Sequence, residues 1–65
     1  MSIKQNKFFK VIQSPTISFL VLLESKDEFL VEWYEMGRNN RWISTGIRQE
    51  IPKHNFDQKY IPLEK

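Results

Sequence analysis

Hydrophobic and polar residues alternate with a period of two along most of this chain, a pattern typical of β-strands. Residues 7–13 (KFFKVIQ) predict a first strand and residues 17–24 (ISFLVLLE) a second, with a turn at Ser14-Pro15 between them. Apolar side chains occupy both faces of the second strand. A strand of this kind belongs in the middle of a sheet or barrel, because both of its faces must be covered.

The stretch 28–46 (EFLVEWYEMGRNNRWISTG) predicts a β-hairpin around which the rest of the chain packs. Phe29, Val31 and Trp33 share one face and are expected to enter the core, while the residues between them face the other way. The turn, MGRNNR, contains a glycine and two asparagines, which adopt positive φ more easily than other residues. Gly46 in the return strand predicts a β-bulge.

The pattern changes after Ile51, where Pro52 and the residues that follow (PKHNF) predict one short helical turn near residues 52–56. Residues 60–63 (YIPL) then predict a short closing strand, which the proline confines to an edge or an end. The chain is therefore expected to hold four meandering strands, one helical turn and a fifth short strand.

This order of elements resembles the SH3-like small barrels, the architecture of SH3, Tudor and photosystem I PsaE-type domains. The resemblance covers roughly residues 7–64 and is most specific at the end, where PKHNF and YIPLE look like the short 3₁₀ turn and closing strand of those barrels. It rests on element order and length. The ALYDY-type motif and paired binding tryptophans of peptide-binding SH3 domains are absent, so the resemblance implies no proline-rich ligand.

The fold class predicted from these observations is all-β. The expected architecture is a small SH3-like barrel or a strongly curled antiparallel meander of about five strands, with the helical turn near residues 52–56. A chain of 65 residues is a single domain, here 1–65, with an ordered core over about 7–63 and frayed termini.

Composition limits how such a small domain is stabilised. The chain has no cysteine and one histidine, so neither a disulfide nor a tetrahedral zinc site of the usual type is expected. Nine aromatic residues supply the core instead. No apolar run approaches the roughly 20 residues of a membrane-spanning helix, and no signal peptide is evident. A cytoplasmic protein without membrane association is the expectation.

The residues do not suggest catalysis. His54, the one histidine, falls in a polar turn without a nucleophile beside it. Glu28 and Glu32 share a strand face but Glu35 points away from them, so no acid–base dyad is indicated. A domain of this size is also expected to have little room for a pocket of several hundred cubic ångström. We therefore expect no enzymatic activity, no cofactor and no metal.

The turn of the hairpin concentrates the residue types that dominate protein interfaces. Tryptophan, tyrosine and arginine are enriched at interface centres. We expect a non-enzymatic binding module that acts as an accessory, regulatory or inhibitory subunit of a larger protein partner. The predicted partner-binding residues are Tyr34, Arg38, Asn39, Asn40, Arg41 and Trp42.

The sequence leaves three alternatives open. The tip from Arg38 to Trp42 also suits single-stranded or duplex nucleic acid, since arginine and asparagine contact phosphates and bases and aromatic rings stack. The net charge of +2 is too small to indicate nucleic acid, and residues 24–35 hold five acids against one base. Trp42 packs in the core in the second alternative. In the third, leucines at 20, 22 and 30 form an exposed face that binds a partner or a second copy in a homodimer.

Overall fold

A computed structural model describes residues 4–63, which form one antiparallel sheet of five strands. The strands run in the spatial order β4-β3-β2-β1-β5, so the last strand of the chain returns to pair with the first. The elements are β1 (Phe8–Val11), β2 (Ser14–Glu24), β3 (Glu28–Met36), a 3₁₀ turn (Arg38–Asn40), β4 (Trp42–Pro52), α1 (Phe56–Lys59) and β5 (Tyr60–Pro62).

The all-β prediction is confirmed, and the order of strands and helical turn is as expected. The sheet is not closed, because β4 and β5 are edge strands that do not pair with each other. The curled antiparallel meander therefore describes residues 4–63 better than a closed barrel. The helical turn lies later than residues 52–56, since Asn55 adopts the left-handed conformation (φ 59°) and α1 begins only at Phe56. The predicted fraying falls partly on residues 1–3 and 64–65, outside the described residues.

The inner face of the sheet, which we define as the face that carries the buried residues, holds an aromatic core. The ring of Phe19 lies 5.3 Å from that of half-buried Trp33 and 5.9 Å from that of Phe56. The expectation that Phe29, Val31 and Trp33 pack with the second strand is confirmed. The buried hydrophobic residues are Phe9, Phe19, Val21, Phe29, Val31, Ile51 and Phe56.

The second strand begins earlier than residue 17, and Pro15 lies within it instead of in a turn. The register between β1 and β2 shifts, so Lys10 pairs with Ser18 whereas Val11 pairs with Ser14. Pro15 therefore falls in the irregular part of the strand, where it has no cross-strand partner among residues 4–63. This placement explains why a residue without an N–H is tolerated there.

The bulge expected at Gly46 is present. Tyr34 pairs with Ser44 and Glu32 with Arg48, so three residues of β4 lie opposite Trp33. Gly46 has φ 77°, a conformation that costs little only for glycine. The alternation of side chains along the return strand is interrupted there. Because of the bulge, β4 presents one short regular segment before it and another after it.

Candidate functional site

The hairpin tip, which we define as residues 36–42, is a compact turn held by its own backbone. The N–H of Gly37 donates to the carbonyl of Arg41 at 2.7 Å. Asn39 and Asn40 both have positive φ, 62° and 56°, which lets the chain reverse between β3 and β4. The side chains of residues 38–41 consequently project into solvent.

The two arginines of the tip are available to a ligand. Arg38 and Arg41 are exposed and make no side-chain hydrogen bond or ion pair with another described residue. Trp42 is half-buried and pairs with Met36 at the end of the β3–β4 ladder. The structure therefore brings a partly exposed indole and two unpaired guanidinium groups together at one end of the sheet.

Tyr34 belongs to a different environment from the rest of the predicted site. Its ring meets that of Phe8 edge-on, with the centroids 5.2 Å apart. Burial raises the pKa of its hydroxyl, and the negative charge of Glu32 raises it further. Its cross-strand neighbour Ser18 is fully buried, and the Ser18 hydroxyl finds no partner among the described residues. Tyr34 is thus a packed residue of the sheet surface.

An apolar patch covers the outer face of the sheet, opposite the core. Phe8 pairs with Leu20, and Leu23 pairs with Leu30 across the next strand boundary. These side chains are half-buried except for Leu23, which is 57% exposed. The face is therefore not a second core within residues 4–63. We call it the outer patch: Phe8, Leu20, Leu22, Leu23, Leu30 and Tyr34.

Cross-strand contacts neutralise part of the acidic stretch. The carboxylate of Glu32 accepts hydrogen bonds from Ser44 Oγ at 2.6 Å and from Arg48 Nε at 3.1 Å. Glu24 forms an ion pair with Lys53. Sequence reasoning did not identify Ser44 and Arg48 as neighbours of Glu32, and the signal that finds them is the register across the Gly46 bulge. Glu32 and Glu24 are thus satisfied within the domain.

The environment of Glu32 predicts a specific pH dependence. The hydrogen bonds from Ser44 and Arg48 hold the pKa of this carboxyl below its ordinary value. Because this pKa is lower in the folded state, ionised Glu32 stabilises the protein at pH values above its unfolded-state pKa of roughly 4.3. This stabilisation is lost as pH falls through the folded-state pKa. We expect thermal stability to fall less steeply below about pH 4 in Glu32→Gln than in the wild type.

The control for this measurement is Glu35→Gln. Glu35 lies on the same strand, is exposed and makes no ion pair with another described residue. Its removal should leave the slope of melting temperature against pH close to that of the wild type. A Glu32→Gln slope equal to that of the wild type would contradict the coupling of Glu32 to Ser44 and Arg48.

The structure contains a larger groove than expected for a domain of this size. An open groove of about 470 Å³ lies beside β1, lined in part by Lys4, Phe8, Asp57 and Leu63. The expectation that so small a domain has little room for a pocket of several hundred cubic ångström was wrong. Within residues 4–63, no cluster of three or more histidine, cysteine or acidic side chains is placed to hold a metal ion. No helix in this range has the length and apolar character to cross a membrane.

Comparisons with known proteins assign no family to this fold and surface. Models of known protein families, curated proteins and solved structures give no significant match to the chain. The features that bear on its function are therefore the tip, the outer patch and the sheet themselves.

Proposed function

We propose that this protein is a non-enzymatic binding module that acts as an accessory, regulatory or inhibitory subunit of a larger protein. The observation that carries the proposal is the continuity between the hairpin tip and the outer patch. Trp42 pairs with Met36, and Tyr34 follows two residues earlier on the same face of β3. Unpaired arginines at one end thus adjoin a partly exposed apolar surface.

The residue types at this surface suit a protein interface. Aromatic side chains supply contact area at little entropic cost, and arginine forms directed hydrogen bonds with carboxylates. Large apolar patches on small soluble domains mark interaction surfaces more often than not. The complementary partner surface has an apolar centre for the outer patch and carboxylates opposite Arg38 and Arg41.

The proposed architecture is that of an SH3-like small barrel. Two features support this assignment: the strand order β4-β3-β2-β1-β5 and the helical turn that leads directly into the last strand. The hairpin tip then occupies the end of the β3–β4 hairpin, away from α1. Substitutions there should leave the aromatic core intact.

The test compares Arg38→Ala/Arg41→Ala with Lys26→Ala/Lys59→Ala in affinity capture from the native host. Both double variants lose two positive charges from exposed positions, but only the first alters the tip. Truncation of an arginine at an interface hot spot costs about 2 kcal/mol or more. We therefore expect the tip variant to lose roughly tenfold or more in capture of a stoichiometric, nuclease-resistant partner, and the control variant to retain it.

Unchanged capture by the tip variant would remove the tip from the binding surface. Circular dichroism of each variant shows whether a loss of capture reflects binding or folding. Trp42→Ala belongs in the same series. Retention of fold with loss of capture supports an interface role for Trp42, whereas unfolding would place it in the core.

Nucleic acid is the second candidate, favoured by one observation. The acids that argue against it are partly neutralised, because Glu32 is bound by Arg48 and Glu24 by Lys53. The free charges of Arg38 and Arg41 then lie beside an indole that can stack on a base. In the capture experiment this function predicts a nuclease-sensitive partner. Binding should also fall steeply between low and physiological salt, because phosphate contacts release counterions.

A further inference from the structure

The open edge of β4 has a backbone pattern that can be read from its contacts. The N–H of Lys53 donates to the carbonyl of Asp27 at 2.9 Å, just beyond the β3–β4 ladder. Bonded and non-bonded pairs alternate along an antiparallel ladder. Ile51 and Gln49 therefore bond to β3, whereas the residues between them direct their N–H and C=O groups away from it.

Pro52 independently supports this assignment of which β4 residues bond to β3 and which face the open edge. It pairs with Glu28 in the ladder although it has no N–H to donate. A proline is tolerated in a strand where the N–H would face the open edge. Glu50 and Arg48 lie two and four residues before it, so they have the same orientation in the ladder. Their backbone groups face the edge, where no other strand of residues 4–63 pairs with β4.

Only a short part of this edge can pair with another strand, and that part has a defined centre. The bulge at Gly46 interrupts the strand on one side and Pro52 limits it on the other, as devices that blunt sheet edges do. After the bulge, pairing with β3 resumes at Arg48 and continues to Pro52. Within this stretch, the residues that direct an N–H to the edge are Arg48 and Glu50. Gln49 lies midway between them, and its own backbone groups are bonded to β3 by the alternation above.

The side chains of this segment carry opposite charges that could pair between two copies of the segment. Arg48 lies opposite Glu32 and Glu50 opposite Leu30, so both occupy the outer face. The Arg48 side chain is 63% exposed and uses Nε for Glu32, which leaves its terminal nitrogens without a partner among the described residues. Glu50 is exposed and has no ion-pair partner in that range.

We propose that two copies of this chain pair through their β4 edges as an antiparallel, two-fold dimer centred on Gln49. In this register each Arg48 lies directly opposite Glu50 of the second copy, and the pair occurs twice. Because both residues direct their backbone groups outward, the two pairs form four backbone hydrogen bonds. Ile47, 59% exposed, comes opposite Ile51 of the second copy. The dimer leaves the hairpin tip free.

Complementary charge reversal tests this register by sedimentation velocity over a concentration series. In Glu50→Arg and in Arg48→Glu alone, like charges face each other twice, and we expect the dimer dissociation constant to rise roughly tenfold or more. Mixing the two variants restores opposite charges at both pairs, and a one-to-one heterodimer should form. Glu35→Arg makes the same charge change as Glu50→Arg away from the edge and should dimerise as the wild type does.

Amide hydrogen exchange supplies a readout that does not depend on variants. The N–H groups of Arg48 and Glu50 should become protected as wild-type concentration rises, whereas the N–H of Gln49 should be protected at every concentration. A monomer throughout the series would overturn the proposal. So would a dimer that survives Glu50→Arg but is dissociated by Leu20→Lys, since that result would place self-association on the outer patch.

Discussion

Phe56→Ala is expected to lower the free energy of unfolding by about 3–5 kcal/mol, the usual cost of truncating a buried phenylalanine. Phe56 is the buried residue of α1 and is 4% exposed. Its ring centroid lies 5.0 Å from those of Phe9, Phe29 and Tyr60. Truncation would therefore leave a cavity bordered by several rings that cannot all relax into it.

The loss is large relative to the stability available. Natural domains are stabilised by about 0.05–0.15 kcal/mol per residue, which gives roughly 3–10 kcal/mol for a chain of this length. We therefore expect Phe56→Ala to be largely unfolded at or near 37 °C. Urea denaturation followed by tryptophan fluorescence measures the change.

Phe8→Ala is the matched control for this prediction. Phe8 is also a phenylalanine of the sheet region, but it is half-exposed on the outer patch and meets Tyr34 alone among the described rings. Its truncation should cost distinctly less than that of Phe56. Equal losses in the two variants, or a loss below about 1 kcal/mol for Phe56→Ala, would show that α1 does not complete the core.

The two tryptophans are expected to respond very differently to truncation. Trp33 contacts Phe19 edge-on at 5.3 Å, and its indole N–H donates to Gln49 Oε1 at 3.1 Å. Trp33→Ala should cost about 3 kcal/mol, at the lower end for large aromatics because the side chain is only half-buried. Trp42 has no ring contact or side-chain hydrogen bond among the described residues, and its truncation should cost less than about 1 kcal/mol.

Thermal denaturation by circular dichroism separates these outcomes. In a domain of this size, 1 kcal/mol corresponds to a shift of roughly 4–8 °C in Tm, so Trp33→Ala should lower Tm by more than about 10 °C. Trp42→Ala should shift it by less than about 8 °C. A large loss for Trp42→Ala would show that this side chain is structural and would disqualify the variant as a probe of binding.

Local pattern was sufficient for the number and order of the strands and for the division of the sheet into two faces, although not for where β2 begins. The alternation of Phe29, Val31 and Trp33 identified the inner face because side chains of a strand alternate regardless of what the strand pairs with. Gly46 identified the bulge because a positive φ is costly for other residues. The predicted tip residues from Arg38 to Arg41 were likewise found exposed at the hairpin turn.

Pairings between distant residues were not available from local pattern. Glu32 and Arg48 are 16 residues apart, and Glu24 and Lys53 are 29 apart. Whether such residues meet depends on the register, and an extra residue in either strand changes every partner beyond it. The sequence shows an acidic stretch between basic flanks, but the individual partners of Glu32 and Glu24 depend on the register.

An all-β domain with an aromatic core, a bulged return strand and an arginine-bearing turn can be predicted from the amino-acid sequence alone. These properties follow from single residues and their immediate neighbours. Three further features of residues 4–63 depend on tertiary contacts: the sheet stays open, Tyr34 packs against Phe8, and Arg48 and Glu50 line an edge that no other described strand pairs with. Strand order and register set these features, and both arise from contacts between segments that are far apart in the chain.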